Sequence, residues 1–171
     1  GAYCSTGSTE PTDCSAGTFS VGGAATCSPC PAGEFQDESG MTACEACTAG
    51  YYCAEGAAAA LPCPGGTHKN ASLDVMMSVD ECVVCPAGTF CPVGSADATP
   101  CAAGTNSSVE GAESCGKCPP GTYQPQEGNT TCLTCTPGYY CAEGAAAALP
   151  CPGGTHKPEG VAVMTSVDQC V

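Results

Sequence analysis

The chain has 171 residues, a formal charge of −14 at pH 7, and three Lys with no Arg. That leaves no basic surface for a phosphate backbone, so nucleic acid is excluded as a partner. Leu, Val and Phe together number 18, Ile is missing, and 23 Gly and 15 Pro punctuate the rest, which excludes an ordinary hydrophobic core. The 19 Cys must supply what the core lacks, and cysteine at this density implies disulfides in an oxidising compartment.

The elements in chain order are copies of one small unit. The pattern C-x-x-G-x-(Phe/Tyr/His/Asn) starts at Cys14, Cys30, Cys47, Cys63, Cys85, Cys101, Cys118, Cys135 and Cys151. The starts lie ~16 residues apart, and a fixed repeat period must be read before any other feature. Gly1-Ala2-Tyr3 reads as the tail of a further copy, so Cys4 is expected to pair with a cysteine before residue 1. The Gly in each copy suits a turn with positive φ. The predicted fold is a small disulfide-rich repeat array: an extended rod of ~16-residue modules with short β-hairpins, turns and little helix. Ala57 to Ala60 is too confined for more than one helical turn. Ser72 to Glu81 and Val161 to Gln169 are the most helix-like stretches, although their Val and Met residues also suit a short strand.

Each module holds two Cys. Local closure predicts Cys14–Cys27, Cys30–Cys44, Cys47–Cys53, Cys63–Cys82, Cys85–Cys91, Cys101–Cys115, Cys118–Cys132, Cys135–Cys141 and Cys151–Cys170. The motive is parity, since local pairing leaves none over. A rival crosses neighbouring modules, for example Cys47–Cys63 with Cys53–Cys82. The spacing of Cys27, Cys30, Cys44 and Cys47 approaches a zinc ribbon. The same phase runs on through C-x5-C modules that offer no second pair, so these cysteines read as disulfides and no metal or cofactor is expected.

A longer period lies on top. Gly50 to Lys69 recurs letter for letter at Gly138 to Lys157. The chain therefore divides into two super-repeats of five modules, residues 1–84 and 85–171. All three Asn, Asn70, Asn106 and Asn129, stand in N-x-(Ser/Thr) sequons and are read as glycosylation sites. His68 and His156 both occupy the aromatic position of their module and read as structural rings. No residue set resembles a catalytic constellation, and no enzyme activity is expected. No apolar run is long enough to span a membrane.

CPPGTYQPQEGNTTCLTC from Cys118 and CPAGEFQDESGMTACEAC from Cys30 resemble ephrin-receptor-like cysteine-rich modules, relatives of tumour-necrosis-factor-receptor repeats. CPAGTFCPVG at Cys85 is similar to an interspersed form found in large surface proteins of algae and protists. The resemblance covers essentially the whole chain and implies an extracellular, secreted or cell-surface location. Members of the family include receptors, adhesins, coats and flagellar-hair components. The exact internal repeat favours a structural glycoprotein, a segment of a filament, stalk or cell-surface coat, self-associating into a fibre or longer array. The alternative is a ligand-binding ectodomain of a receptor or adhesin. Tyr51, Tyr52, Tyr139 and Tyr140 are the candidate contact residues, because bulky amphipathic rings are favoured at interfaces.

Overall fold

The computed structural model describes every residue, Gly1–Val171. Its strands are two residues long, as frequent Gly and Pro require. Each module begins with a turn in which the Gly of C-x-x-G takes positive φ, as at Gly17 (82°), Gly50 (86°) and Gly121 (85°). The next residue is often Thr, and its hydroxyl closes the turn. Thr18, Thr67, Thr89, Thr105, Thr122 and Thr155 each donate Oγ1 to the carbonyl three residues back, at 2.6–2.7 Å. The chain then extends through the aromatic position, and a returning strand pairs with it.

Contacts divide the chain into two units, Gly1–Val83 with Val93–Asp97, and Val84–Pro92 with Ala98–Val171. In the first unit β1 (Ala2–Tyr3) pairs antiparallel with β2 (Thr12–Asp13), and β3 (Thr18–Phe19) with β4 (Ser28–Pro29). There too β5 (Glu34–Phe35) pairs with β6 (Glu45–Ala46), and β7 (Tyr51–Tyr52) with β8 (Leu61–Pro62). β9 (Thr67–His68) and β10 (Val83–Val84) follow in the chain. In the second unit β11 (Thr89–Phe90) pairs with β12 (Thr99–Pro100), and β13 (Thr105–Asn106) with β14 (Gly116–Lys117). The same holds for β15 (Thr122–Tyr123) with β16 (Leu133–Thr134), and β17 (Tyr139–Tyr140) with β18 (Leu149–Pro150). The register is constant: the aromatic position faces the residue two before the next module's Cys, as in Phe19 opposite Ser28 and Tyr123 opposite Leu133. The fold is a small disulfide-rich repeat array.

Nine disulfides close within modules: Cys14–Cys27, Cys30–Cys44, Cys47–Cys53, Cys63–Cys82, Cys85–Cys91, Cys101–Cys115, Cys118–Cys132, Cys135–Cys141 and Cys151–Cys170. Cys4 is free and exposed. The cystines are the core. Cys14, Cys30, Cys63, Cys85, Cys91, Cys101 and Cys118 are fully inaccessible, Cys53 and Cys141 nearly so, and the only apolar side chains other than Cys buried to this degree are Met76 and Met164.

The two stretches that read as helix or strand hold one bridge residue and one short helical turn each. Met76 makes an isolated parallel bridge to Tyr52, and Met164 makes the same bridge to Tyr140. Each chain then turns through three residues of 3₁₀ helix, Val79–Glu81 and Val167–Gln169. Capping boxes hold the two turns, Ser78 with Glu81 and Ser166 with Gln169. Ala57 to Ala60 forms no helix, and Ala57 bridges to Phe35 instead.

Candidate functional site

No group of three or more His, Cys, Asp or Glu is placed to hold a metal ion. What recurs is the joint between modules. Within each unit, the N–H of a module's first Cys donates to the carbonyl of the preceding module's turn Gly. Cys30 to Gly17 and Cys118 to Gly104 are both 2.9 Å. The residue just after the aromatic position then donates its N–H forward to the next module. Gln36 reaches Ala57 at 3.1 Å, Cys53 reaches Met76 at 3.0 Å, and Gln124 reaches Ala145 at 3.0 Å. A later Gly donates back, as from Gly56 to Cys30 and from Gly144 to Cys118, both 2.8 Å. These recurring hydrogen bonds of the joint are made by backbone groups.

The position after the aromatic was not singled out in the sequence. It holds Ser20, Gln36, Cys53, Cys91, Ser107, Gln124 and Cys141, all buried, and also Lys69 and Lys157, which are half-buried, and Cys4, which is exposed. In C-x5-C modules it carries the second cysteine. In the other modules a polar side chain takes the place and satisfies local backbone. Gln36 donates Nε2 to Ala43 at 2.9 Å and accepts from the Glu38 N–H, while Gln124 donates to Thr131 at 2.7 Å and accepts from the Gln126 N–H. Aligning the modules on the C-x5-C form would have exposed this position, because a disulfide cysteine there must point inward.

The joint also reaches two modules along. A Cβ on Gly17 would stand 2.4 Å from the Gly56 carbonyl oxygen, and one on Gly50 would stand 2.2 Å from that of Gly94. Gly88 and Gly128 repeat this at 2.2 Å, and Gly104 and Gly144 at 2.3 Å. Only glycine permits so close an approach at φ near +85°.

Residues 17–58 and 104–146 match the family described as tyrosine-protein kinase ephrin type A/B receptor-like. The chain carries ephrin-receptor-like cysteine-rich repeats. Each matched segment opens on a turn glycine, Gly17 or Gly104, and closes just past the glycine it touches two modules on, Gly56 or Gly144. A comparison with the curated proteins gives no match. This family and the disulfides point to an extracellular location. No helix is long and apolar enough to cross a membrane.

On these repeats the tyrosines and histidines are placed unequally. Tyr51, Tyr52 and Tyr140 are half-buried, whereas Tyr139 is 41% exposed. His68 is half-buried, with Nδ1 2.8 Å from the Lys69 carbonyl, and His156 is exposed. The three sequon asparagines are all half-buried. Asn70 accepts from the Ser72 N–H at 3.0 Å, forming a local turn. Asn106 stands in the aromatic position of its module. Its Nδ2 donates to the Thr130 carbonyl at 2.9 Å, and its Oδ1 lies 3.3 Å from Cys132 Sγ. Asn129 accepts on its backbone carbonyl from the Ser107 N–H at 3.3 Å. Two sequons therefore meet at one joint.

Proposed function

We propose that this chain is the repeat segment of a structural extracellular glycoprotein, part of a filament, stalk or cell-surface coat, with no enzymatic role. One observation carries the reading. The joint uses backbone, Gly and Cys, and it recurs from module to module within each unit, so that modules add in series without any particular surface residue. The exact copy of Gly50–Lys69 at Gly138–Lys157 then offers the same surface at a fixed interval, as a repeating assembly requires.

Negative-stain imaging of native material is expected to show fibres with a constant axial repeat. Separate particles that bind a soluble ligand and never one another would overturn the reading. Sugars belong to the same proposal, at Asn70, Asn106 and Asn129. An amide already bonded to Thr130 is poorly placed as an acceptor once its module has closed. Site-resolved mass spectrometry of native material is therefore expected to find Asn106 less fully occupied than Asn70 and Asn129. Higher occupancy at Asn106 than at the other two would show that the joint closes after modification.

A further inference from the structure

The two sequons of the second unit are tied to each other, and one cystine holds the tie. Asn106 lies in β13, where it pairs opposite Gly116. Its Nδ2 donates to the Thr130 carbonyl at 2.9 Å, 24 residues further on. The next residue, Ser107, is buried and donates its N–H to the Asn129 carbonyl at 3.3 Å. Gln124, also buried, donates Nε2 to the Thr131 carbonyl at 2.7 Å. All the carbonyls of the sequon Asn129-Thr130-Thr131 are therefore occupied, those of Asn129 and Thr130 by the sequon Asn106-Ser107-Ser108. The residue that follows is Cys132. Its Sγ lies 3.3 Å from Asn106 Oδ1 and is joined to Cys118. Closing Cys118–Cys132 thus holds residues 129–131 against Asn106.

Asn70 is the contrast. Its sequon, Asn70-Ala71-Ser72, ends in Ser as that of Asn106 does, so the two acceptors are chemically matched. Its Oδ1 accepts from the Ser72 N–H, no hydrogen bond in the chain takes up its Nδ2, and Ala71 and Ser72 are exposed. Asn129 is closer to Asn70 in this respect. Its Nδ2 makes two local contacts, to the Gln126 and Glu127 carbonyls, both at 3.4 Å.

The amide nitrogen is the atom that reacts. In N-glycosylation it bonds to the anomeric carbon of an oligosaccharide carried on a lipid diphosphate. The anomeric C–O bond breaks, the lipid diphosphate leaves with the electron pair, and the nitrogen gives up one proton. An Nδ2 held on Thr130, with Asn106 paired to Gly116 and Ser107 to Asn129, is not presented to that donor. Transfer and closure therefore compete for Asn106. Synthesis at about 5–20 residues per second brings residue 130 out about 1–5 s after residue 106. Disulfides close in seconds or more slowly. The two steps run on one timescale.

We propose that closure of Cys118–Cys132 is the step that ends glycosylation at Asn106, so that the chain is made in two forms, one with sugar at Asn106 and one with the Asn106–Thr130 bond. The proposal rests on the glycoprotein reading above and adds what sets the occupancy of this site. It gives the redox state of the compartment a lasting effect on the chain. Fast closure leaves fewer sugars at this joint, and slow closure leaves more.

Site-resolved mass spectrometry of the full chain tests this, read as the ratio of occupancy at Asn106 to that at Asn70. Secreted and retained chains are pooled, so a variant that fails to leave the cell is still counted. Cys118→Ala with Cys132→Ala is expected to raise the ratio about twofold, since two steps of comparable rate divide the chains about equally. Cys14→Ala with Cys27→Ala, which opens a loop in the first unit, is expected to leave it unchanged. Dithiothreitol present while the unaltered chain is synthesised should raise the ratio as the first variant does. Gln124→Ala, which releases the Thr131 carbonyl, should raise it less. A ratio that the Cys118 and Cys132 variant does not move overturns the proposal. An equal rise in the Cys14 and Cys27 variant does so too, because any lost cystine then suffices. Asn106 filled as completely as Asn70 in the unaltered chain means that transfer always precedes closure, and overturns it as well. In these three cases the glycoprotein reading stands. Sugar at none of Asn70, Asn106 and Asn129 overturns both.

Discussion

Gly17 and Gly23 share a backbone angle, φ +82° and +84°, but not a setting. A Cβ at Gly17 would lie 2.4 Å from the Gly56 oxygen, while one at Gly23 would meet nothing within 4 Å. Alanine at either site costs about 1–2 kcal/mol for the left-handed conformation. At Gly17 it must also force two modules apart, for a further cost of about 1–3 kcal/mol. Urea unfolding with the disulfides intact is expected to show Gly17→Ala as the more destabilised by that margin. Equal losses would mean that modules two apart do not press on each other. The turn glycines were legible in the sequence, because C-x-x-G recurs at each start. Their closeness to a second glycine was not, since it depends on contacts between residues some forty positions apart. Gln36 and Gln124 were missed for another reason. A glutamine between an aromatic and a run of polar residues reads as surface, and only the buried position shared with Cys53 and Cys141 shows otherwise.

At the scale of the element, a hairpin of two-residue strands has little stability of its own. The cystine beneath it and the parallel bridges at its other edge hold it. Phe35 takes Ala57 on that edge, and Tyr123 takes Ala145. The antiparallel half of each hairpin was legible from Gly, Pro and spacing. The parallel half was not, because Ala57 and Ala145 carry no strand signal and are recruited by position alone. The same cause hid the bridge at Met76 within Ser72–Glu81, although the helical turn at its end was anticipated. Met76 is buried by its bridge to Tyr52, and no periodicity announces a single buried residue. Loop length should set how much each cystine contributes. Cys63–Cys82 spans 19 positions and Cys85–Cys91 spans 6. In the chain-entropy picture these are worth about 3 and about 2 kcal/mol respectively. Replacing each pair by Ala is expected to destabilise the chain in that order, read by denaturant midpoint. The reverse order would mean that the short cystine is held chiefly by its contacts, as its two inaccessible sulfur-bearing side chains would permit.

Over the whole molecule, the repeat was legible and so was its double period, but the partition of the module at Cys85 was not. Residues 93–97 go with the first unit because Ser95 bridges to His68 and Gly94 lies on Gly50, contacts that no local pattern encodes. Charge acts at this same scale. A formal charge of −14 is relieved by only three lysines, and the one ion pair, Lys117 with Glu143 at 3.6 Å, is largely solvent-exposed. Copies must therefore approach against mutual repulsion. Salt shortens the reach of that repulsion, from about 8 Å at 0.15 M to about 3 Å at 1 M, and leaves hydrogen bonds and apolar contact in place. Sedimentation velocity of the full chain at neutral pH is expected to show association strengthening as sodium chloride rises from 0.05 to 1 M (roughly the range over which screening sets in). Lowering the pH toward the sequence pI of about 4.1 should act in the same direction, by discharging the carboxylates. Association that weakens with salt would show that ion pairs hold the copies together.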